Sequence, residues 1–528
     1  MGNCRLYYNG TILTMEQELY AEAVLTENGR ILAVGKTEDL LSAKPQAQRV
    51  DLQGNVLLPS MLDPHSHLSQ MAAAQLQVPL DEANSPEMVT ERIATFVRDH
   101  KPAPGEWIIC KGYDHNRLPE GRHPTIQMLD TCTNGHPLVI QHQSGHSGLF
   151  NSAALELLGI TADTPAPEGG VIGVSNGELT GYLEENAYMQ ALRKVPMPDG
   201  AKLLAAYRTA QKKYASYGIT TVQEGMFVSQ MLPLYDTLMQ QRMFMLDTVV
   251  YPEQAAYAEL AQAWPQRVKR YDNRVKIGGV KMFLDGSPQG RTAWMRTPYA
   301  GEETYCGYGT MQDDAVVEVL RFAAQRELQT LAHCNGDAAA AQYLRCLETI
   351  EAEFPAYRDM RPVLIHGQLL GTDQLPDVRR CGVIPSFFAA HVYHWGDVHI
   401  QNFGRSRASS ISPAGSARKQ NIRFTLHQDA PVIEPNMLET VWCAVNRWTK
   451  GGEVLGEQER ISPLEALRAV TMHAAWQYFE EDQKGSIASG KLANFVLLDQ
   501  NPLTVEPMEI RNIQVLQTIR EDKVVFSQ

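Results

Sequence analysis

The chain holds eight cysteines, Cys4, Cys110, Cys132, Cys306, Cys334, Cys346, Cys381 and Cys443, and no two of them form a Cys-x-x-Cys pair. Their scatter excludes a zinc ribbon and a thioredoxin-like redox motif, and reads as reduced thiols of a cytoplasmic protein. Also missing is any stretch near the roughly 18 uninterrupted apolar residues that a bilayer span needs. The N-terminus reads as strand and turn, not as a charged segment leading into an apolar signal. Basic residues are outnumbered, 47 Lys and Arg against 60 Asp and Glu, for a net charge of −13. This balance argues weakly against nucleic acid and anionic membranes as partners. Nothing in the sequence decides between a monomer and a homodimer.

What is present suits a large folded protein. Apolar residues make up 44% and charged residues 20% of 528 positions, enough for a sizeable core in a chain too long for a single ordinary one. Short β-like runs open the sequence at Leu6–Tyr8, Ala23–Thr26 and Ile31–Val34, separated by the hairpin signals Asn9-Gly10 and Asn28-Gly29. A matching pattern returns at Phe495–Leu498, Val515–Thr518 and Val524–Phe526. We therefore expect one composite β domain, a β-sandwich, from residues 1–55 and 485–528, with an α/β unit over 56–484 between its halves.

The middle alternates apolar runs with amphipathic stretches, as βα units do. Eight candidate strands are Val56–Asp63, Thr220–Gln223, Met243–Val250, Ile277–Phe283, Gln329–Ala332, Pro362–Ile365, Val383–Phe387 and Arg423–Leu426. Eight is the number that closes a (β/α)8 TIM-like barrel, whose chemistry sits just beyond the strands' C-terminal ends. Ala201–Tyr217 reads as a helix closed by Gly218, and Ser462-Pro463-Leu464-Glu465 as a capping box opening a helix through Tyr478. The long connection after the first strand, about residues 70–200, exceeds ordinary βα loops and predicts an inserted lid or subdomain.

Candidate chemistry falls at these strand ends. The first ends in Asp63-Pro64-His65-Ser66-His67, and residues two apart on an extended segment face one way, so His65 and His67 can share a metal. The fifth and sixth end in His333 and His366, and the eighth runs into Asp429, where a carboxylate can bind metal or take a proton from water. Against these stand plainer readings: a hydrogen-bonded core histidine in each case, and for Asp429 an N-cap or Asx-turn before Pro431. Lys281 lies in the apolar fourth strand, where burial disfavours its ammonium. Carbamylation by CO2 would turn it into an anionic bridge, and pairing with Asp285 or with a substrate carboxylate is the alternative.

These residues resemble the amidohydrolase superfamily, within it the group that includes N-substituted formamide deformylases and exoenzyme regulatory proteins. The likeness runs over nearly the whole chain: Asp63 to His67, His146 through Leu155, Gly218 to Val222, Lys281 through Ser287, His333 through Asp337, His366 to Gln368, Asp429 to Val432 and Gly485 through Val496. One departure is His427-Gln428, where many relatives carry Gly-Ser. The resemblance implies a divalent-metal site, one or two ions and most plausibly zinc, held by His65, His67, carboxylated Lys281, His333, His366 and Asp429. It implies hydrolysis of a non-peptide C–N bond in a small amide, with Asp429 as general base. His146 from the insertion is the first candidate to stabilise the oxyanion, and His391 and His394 beyond the seventh strand are weaker ones. The thiol of Cys334 is an added soft ligand or a packed core residue. Two other readings keep the fold: a lactone or ester hydrolase using the same site, and a regulatory or binding protein without turnover.

Overall fold

A computed structural model describes residues 4–118, 121–196 and 200–528. Parallel strands pair in chain order through the middle of the molecule: Met61–Leu62, Ile219–Phe227, Asp247–Pro252, a fourth strand in two pieces, then Gln329–Cys334, Val363–His366, Ile384–Phe387 and Thr425–Leu426. The fourth strand is split at Gly278 into Val275–Ile277, which pairs with the third, and Gly279–Phe283, which pairs with the fifth. A Cβ at Gly278 would fall 2.6 Å from the Tyr251 ring, so only glycine lets the chain pass that aromatic. At the other end of the array His67 N–H donates to Ala430 O at 2.9 Å, joining the segments that follow strands one and eight.

Two expected strands and one expected helix are corrected. Val56–Asp63 is not one strand: Val56–Pro59 pairs with Phe495–Leu498 and with Thr11–Leu13, while only Met61–Leu62 joins the parallel array. The run VLLPSML is apolar but for Ser60 and buried throughout, and that pattern alone does not reveal the change of sheet at Ser60. Val56–Pro59 thus lies in the sheet that both ends of the chain build. Met243–Leu246 precedes its strand; Gln211 Oε1 takes the N–H groups of Met245 and Leu246 at 2.6 and 3.2 Å. The expected helix after Ser462 is two, Pro463–Ala469 and Met472–Gln477. Its capping box is present, and the break frees Val470 O to accept Leu62 N–H at 2.9 Å.

Both ends of the chain meet in one six-stranded sheet, where residues 495–498, 515–520 and 523–527 lie beside 56–59, 11–13 and 20–21. A four-stranded sheet built wholly from residues 4–51 shares its core, with Tyr7 meeting Phe495 edge to face at 5.3 Å. The long connection after the first strand carries a six-stranded sheet of its own, from Val78 to Glu184. Within it Leu138–His142 and Ser147–Phe150 form a hairpin. Gln143 at the hairpin's tip donates to Val432 O at 3.0 Å, which pins the tip against the loop after strand eight. Among the described residues no helix is long and apolar enough to cross a membrane.

Candidate active site

Side chains from the ends of strands one, four, five, six and eight converge. The rings of His65 and His67 lie 5.1 Å apart, His65 and His366 5.5 Å, and His366 and His333 4.7 Å, centroid to centroid. Asp429 Oδ1 sits 3.4 Å from His65 Nε2 and 3.3 Å from His67 Nε2, with Oδ2 3.8 Å from His366 Nε2. Lys281 Nζ is 3.4 Å from His65 Nε2. The ligand atoms of His65, His366 and Asp429 all lie within 4.8 Å of one another. All six candidate metal residues are buried.

The second nitrogen of three imidazoles is already engaged. His65 Nδ1 meets Gln223 Oε1 at 2.6 Å, His333 Nδ1 meets Asp285 Oδ1 at 3.1 Å, and His366 Nδ1 meets His427 Nε2 at 3.0 Å. His427 is in turn held by Ser386 Oγ at 2.9 Å from its Nδ1. The Gln223 and Asp285 oxygens accept from Nδ1–H and so turn an unprotonated Nε2 of His65 and His333 to the common centre, the arrangement in which histidine binds metal. Burial, with the neighbouring cationic and imidazole groups, pushes all three histidines well below their ordinary pKa, so they stay neutral. Gly225 makes room for the first: a Cβ there would lie 2.8 Å from His65 Cε1.

Asp429 carries a positive φ of 56°, as does His366 at 74°. Non-glycine residues adopt this backbone at a cost and cluster where function needs the resulting side-chain direction. Among the described residues Asp429 Oδ1 has no hydrogen-bond partner, and the carboxylate faces the imidazoles of His65, His67 and His366 rather than a backbone N–H of an N-cap or Asx-turn. Burial alone would raise its pKa, but the close approach of His67 and the other imidazoles holds it well below the usual carboxylate range. Burial lowers the Lys281 ammonium to about 7. The pairing of Lys281 with Asp285 does not occur: Asp285 is occupied by His333 and by the backbone N–H groups of Trp294, Asn335 and Gly336 at 3.1, 2.9 and 2.7 Å.

Above this centre the inserted hairpin delivers His146, whose ring lies 4.8 Å from that of His333. Its Nδ1 is 2.8 Å from Glu185 Oε2, and although burial opposes the charge, Glu185 raises the His146 pKa. Glu185 stands at φ 48° and takes its place over Gly286, where a Cβ would come within 1.9 Å of Glu185 Oε1. No sequence signal marks Glu185, since it lies 39 residues from His146 and on another element. Gln223 and Ser386 are equally silent in the sequence, and His427 appears there only as a departure from the family pattern.

The remaining candidates separate. His391 lines the cavity above the centre and bonds His399 at 3.1 Å. His394 instead meets Glu439 at 2.8 Å and lies outside that lining. Cys334 packs into the main apolar core, with its thiol pushed up by burial, as strand alternation requires when its neighbour His333 faces the centre.

Comparison with known proteins agrees with this architecture. The model of the amidohydrolase family matches residues 48–526. The N-substituted formamide deformylase of Arthrobacter pascens is 27% identical, with 94% of this chain and 93% of that protein covered. A crystal structure of an uncharacterized metal-dependent hydrolase from Pyrococcus horikoshii OT3 superposes with a TM-score of 0.76 at 24% identity, covering 96% of this chain and 99% of that one. Zinc-complexed atrazine chlorohydrolase TrzN from Arthrobacter aurescens TC1 shares the fold more loosely, with a TM-score of 0.53 at 13% identity over 99% and 95% of the two chains. The likeness to solved metal-dependent hydrolases is that of their TIM-barrel fold, and the chain belongs to the amidohydrolase family.

Proposed function

We propose that this hydrolase cleaves a non-peptide C–N bond, of amide or formamide type, in a small molecule, with a divalent metal held by His65, His67, His333, His366, Asp429 and a carboxylated Lys281. The observation that carries the reading is the set of imidazoles with committed Nδ1 atoms around an unpartnered carboxylate oxygen. Neutral imidazoles and a carboxylate fit a borderline ion such as zinc. Bound there, one or two such ions supply Lewis-acid polarisation of the scissile carbonyl and acidify the attacking water toward a pKa of about 7.

The protein's own groups perform the proton transfers. Asp429, held as a carboxylate by its imidazole neighbours, accepts the proton of the attacking water and returns it to the leaving nitrogen. His146, whose pKa the Glu185 carboxylate raises, donates a hydrogen bond to the oxygen on which negative charge develops. Gln223 and Asp285 fix the tautomers of His65 and His333. The neutral fraction of Lys281 near pH 7 is the nucleophile that CO2 requires, and the resulting carbamate changes a buried cation into an anionic ligand. Relatedness to a formamide deformylase favours C–N chemistry over ester cleavage. The test is metal analysis of the purified protein with matched amide, formamide and ester assays before and after chelation. Ester turnover without amide turnover, or amide turnover that survives complete metal removal, would refute the proposal.

A further inference from the structure

Beside the metal-facing histidines stands a polar wall that the catalytic steps above leave unused. Ser287, Gln289 and Asn335 line the same cavity as His146, His333 and Asp429, and each is at least 96% buried. Among the described residues Ser287 Oγ, Gln289 Oε1 and Asn335 Oδ1 find no hydrogen-bond partner. Leaving buried acceptors unpaired is costly, and native structures keep few of them.

The Asn335 amide is not free to turn. Its Nδ2 donates to Gly286 O at 2.9 Å, and its backbone N–H donates to Asp285 Oδ1 at 2.9 Å. That same carboxylate oxygen orients His333 at 3.1 Å. Asn335 Oδ1 is therefore an acceptor held in register with the metal-facing nitrogen of His333, which lies 3.4 Å from Asn335 Nδ2. Ser287 follows Gly286 directly, so one wall carries all three groups. Among the described residues the lining of the cavity includes no Lys or Arg.

We propose that this wall is a subsite for the N–H of the scissile amide, with Asn335 Oδ1 as its principal acceptor. The inference rests on the hydrolase reading above and narrows its substrate class to amides whose nitrogen bears at least one hydrogen. Tertiary amides, esters and lactones leave the acceptors unpaired, and a site built to hydrogen-bond a group discriminates strongly against analogues that lack it.

The test uses the metal-loaded enzyme and Asn335→Leu with three probes: N-propylformamide, N-methyl-N-propylformamide and propyl formate. The wild type is expected to favour the secondary over the tertiary formamide by about tenfold or more in kcat/KM. Asn335→Leu is expected to lower kcat/KM for N-propylformamide at least about ten times more than for propyl formate. Equal losses on all three probes, or equal wild-type rates on the two formamides, overturn the subsite. If none of the probes turns over, the hydrolase reading fails for this class, and the subsite is decided by calorimetric binding of N-propylurea against tetramethylurea. Preference for the N–H-bearing urea that vanishes in Asn335→Leu supports it; equal binding overturns it. Should Asn335→Leu melt earlier than the wild type, Ser287→Ala enters the same comparisons, with the same directions expected at smaller size.

Discussion

Asp429 Oδ1 faces the Nε2 atoms of His65 and His67 at 3.4 and 3.3 Å from a left-handed backbone. Asp429→Asn keeps the shape and removes the charge and the proton acceptor. Activity should fall by about 10²–10⁴-fold, with metal content measured in parallel to separate weakened binding from lost proton transfer. A variant with near wild-type turnover would remove Asp429 from the general-base role.

Lys281 supplies the pH dependence. Its folded pKa is lowered to about 7 by burial, and only the uncharged amine reacts with CO2. Reconstitution of metal-free protein with zinc and bicarbonate should accelerate as pH rises through about 7, and slow below it. Lys281→Ala should lose most activity and at least one metal equivalent. A reconstitution rate indifferent to bicarbonate at every pH would count against the carbamate.

Glu185 and His146 act as a unit at 2.8 Å. Glu185→Gln preserves size but removes the negative charge that raises the His146 pKa. If His146 acts on the transition state, kcat should fall by about 10²-fold with little change in KM. A pure KM effect would reassign the pair to substrate binding.

Gly286 tests the same contact by packing. A Cβ there meets Glu185 Oε1 at 1.9 Å and Thr292 Oγ1 at 2.2 Å. Gly286→Ala should destabilise the protein by about 1–3 kcal/mol, the usual range for overpacking, and lose activity beyond what the fall in stability explains. Thermal melts alongside kcat measure both parts.

His427 holds His366 from behind at 3.0 Å. His427→Phe leaves that Nδ1 without its hydrogen-bond partner, and metal affinity should drop about 10–100-fold, the usual effect of removing such a support. Competition with a zinc chelator gives the number.

Local chemistry in the sequence was enough to mark the alternation of strand and helix, the capping box at Ser462, the long insertion, and the histidines and Asp429 at strand ends. These depend on neighbours within a few residues, where periodicity and side-chain type carry the information. The exchange of sheets at Ser60, the split at Gly278 and the two helices after Ser462 were illegible, because each is set by a partner from elsewhere: Asn494 O takes the Ser60 N–H, Tyr251 crowds Gly278, and Val470 O accepts from Leu62. The same division runs through the site. Residue type proposed the imidazoles, but Gln223, Asp285, His427 and Glu185 gained their tasks only when the fold brought them within hydrogen-bond reach, since those contacts join residues 39 to 158 positions apart.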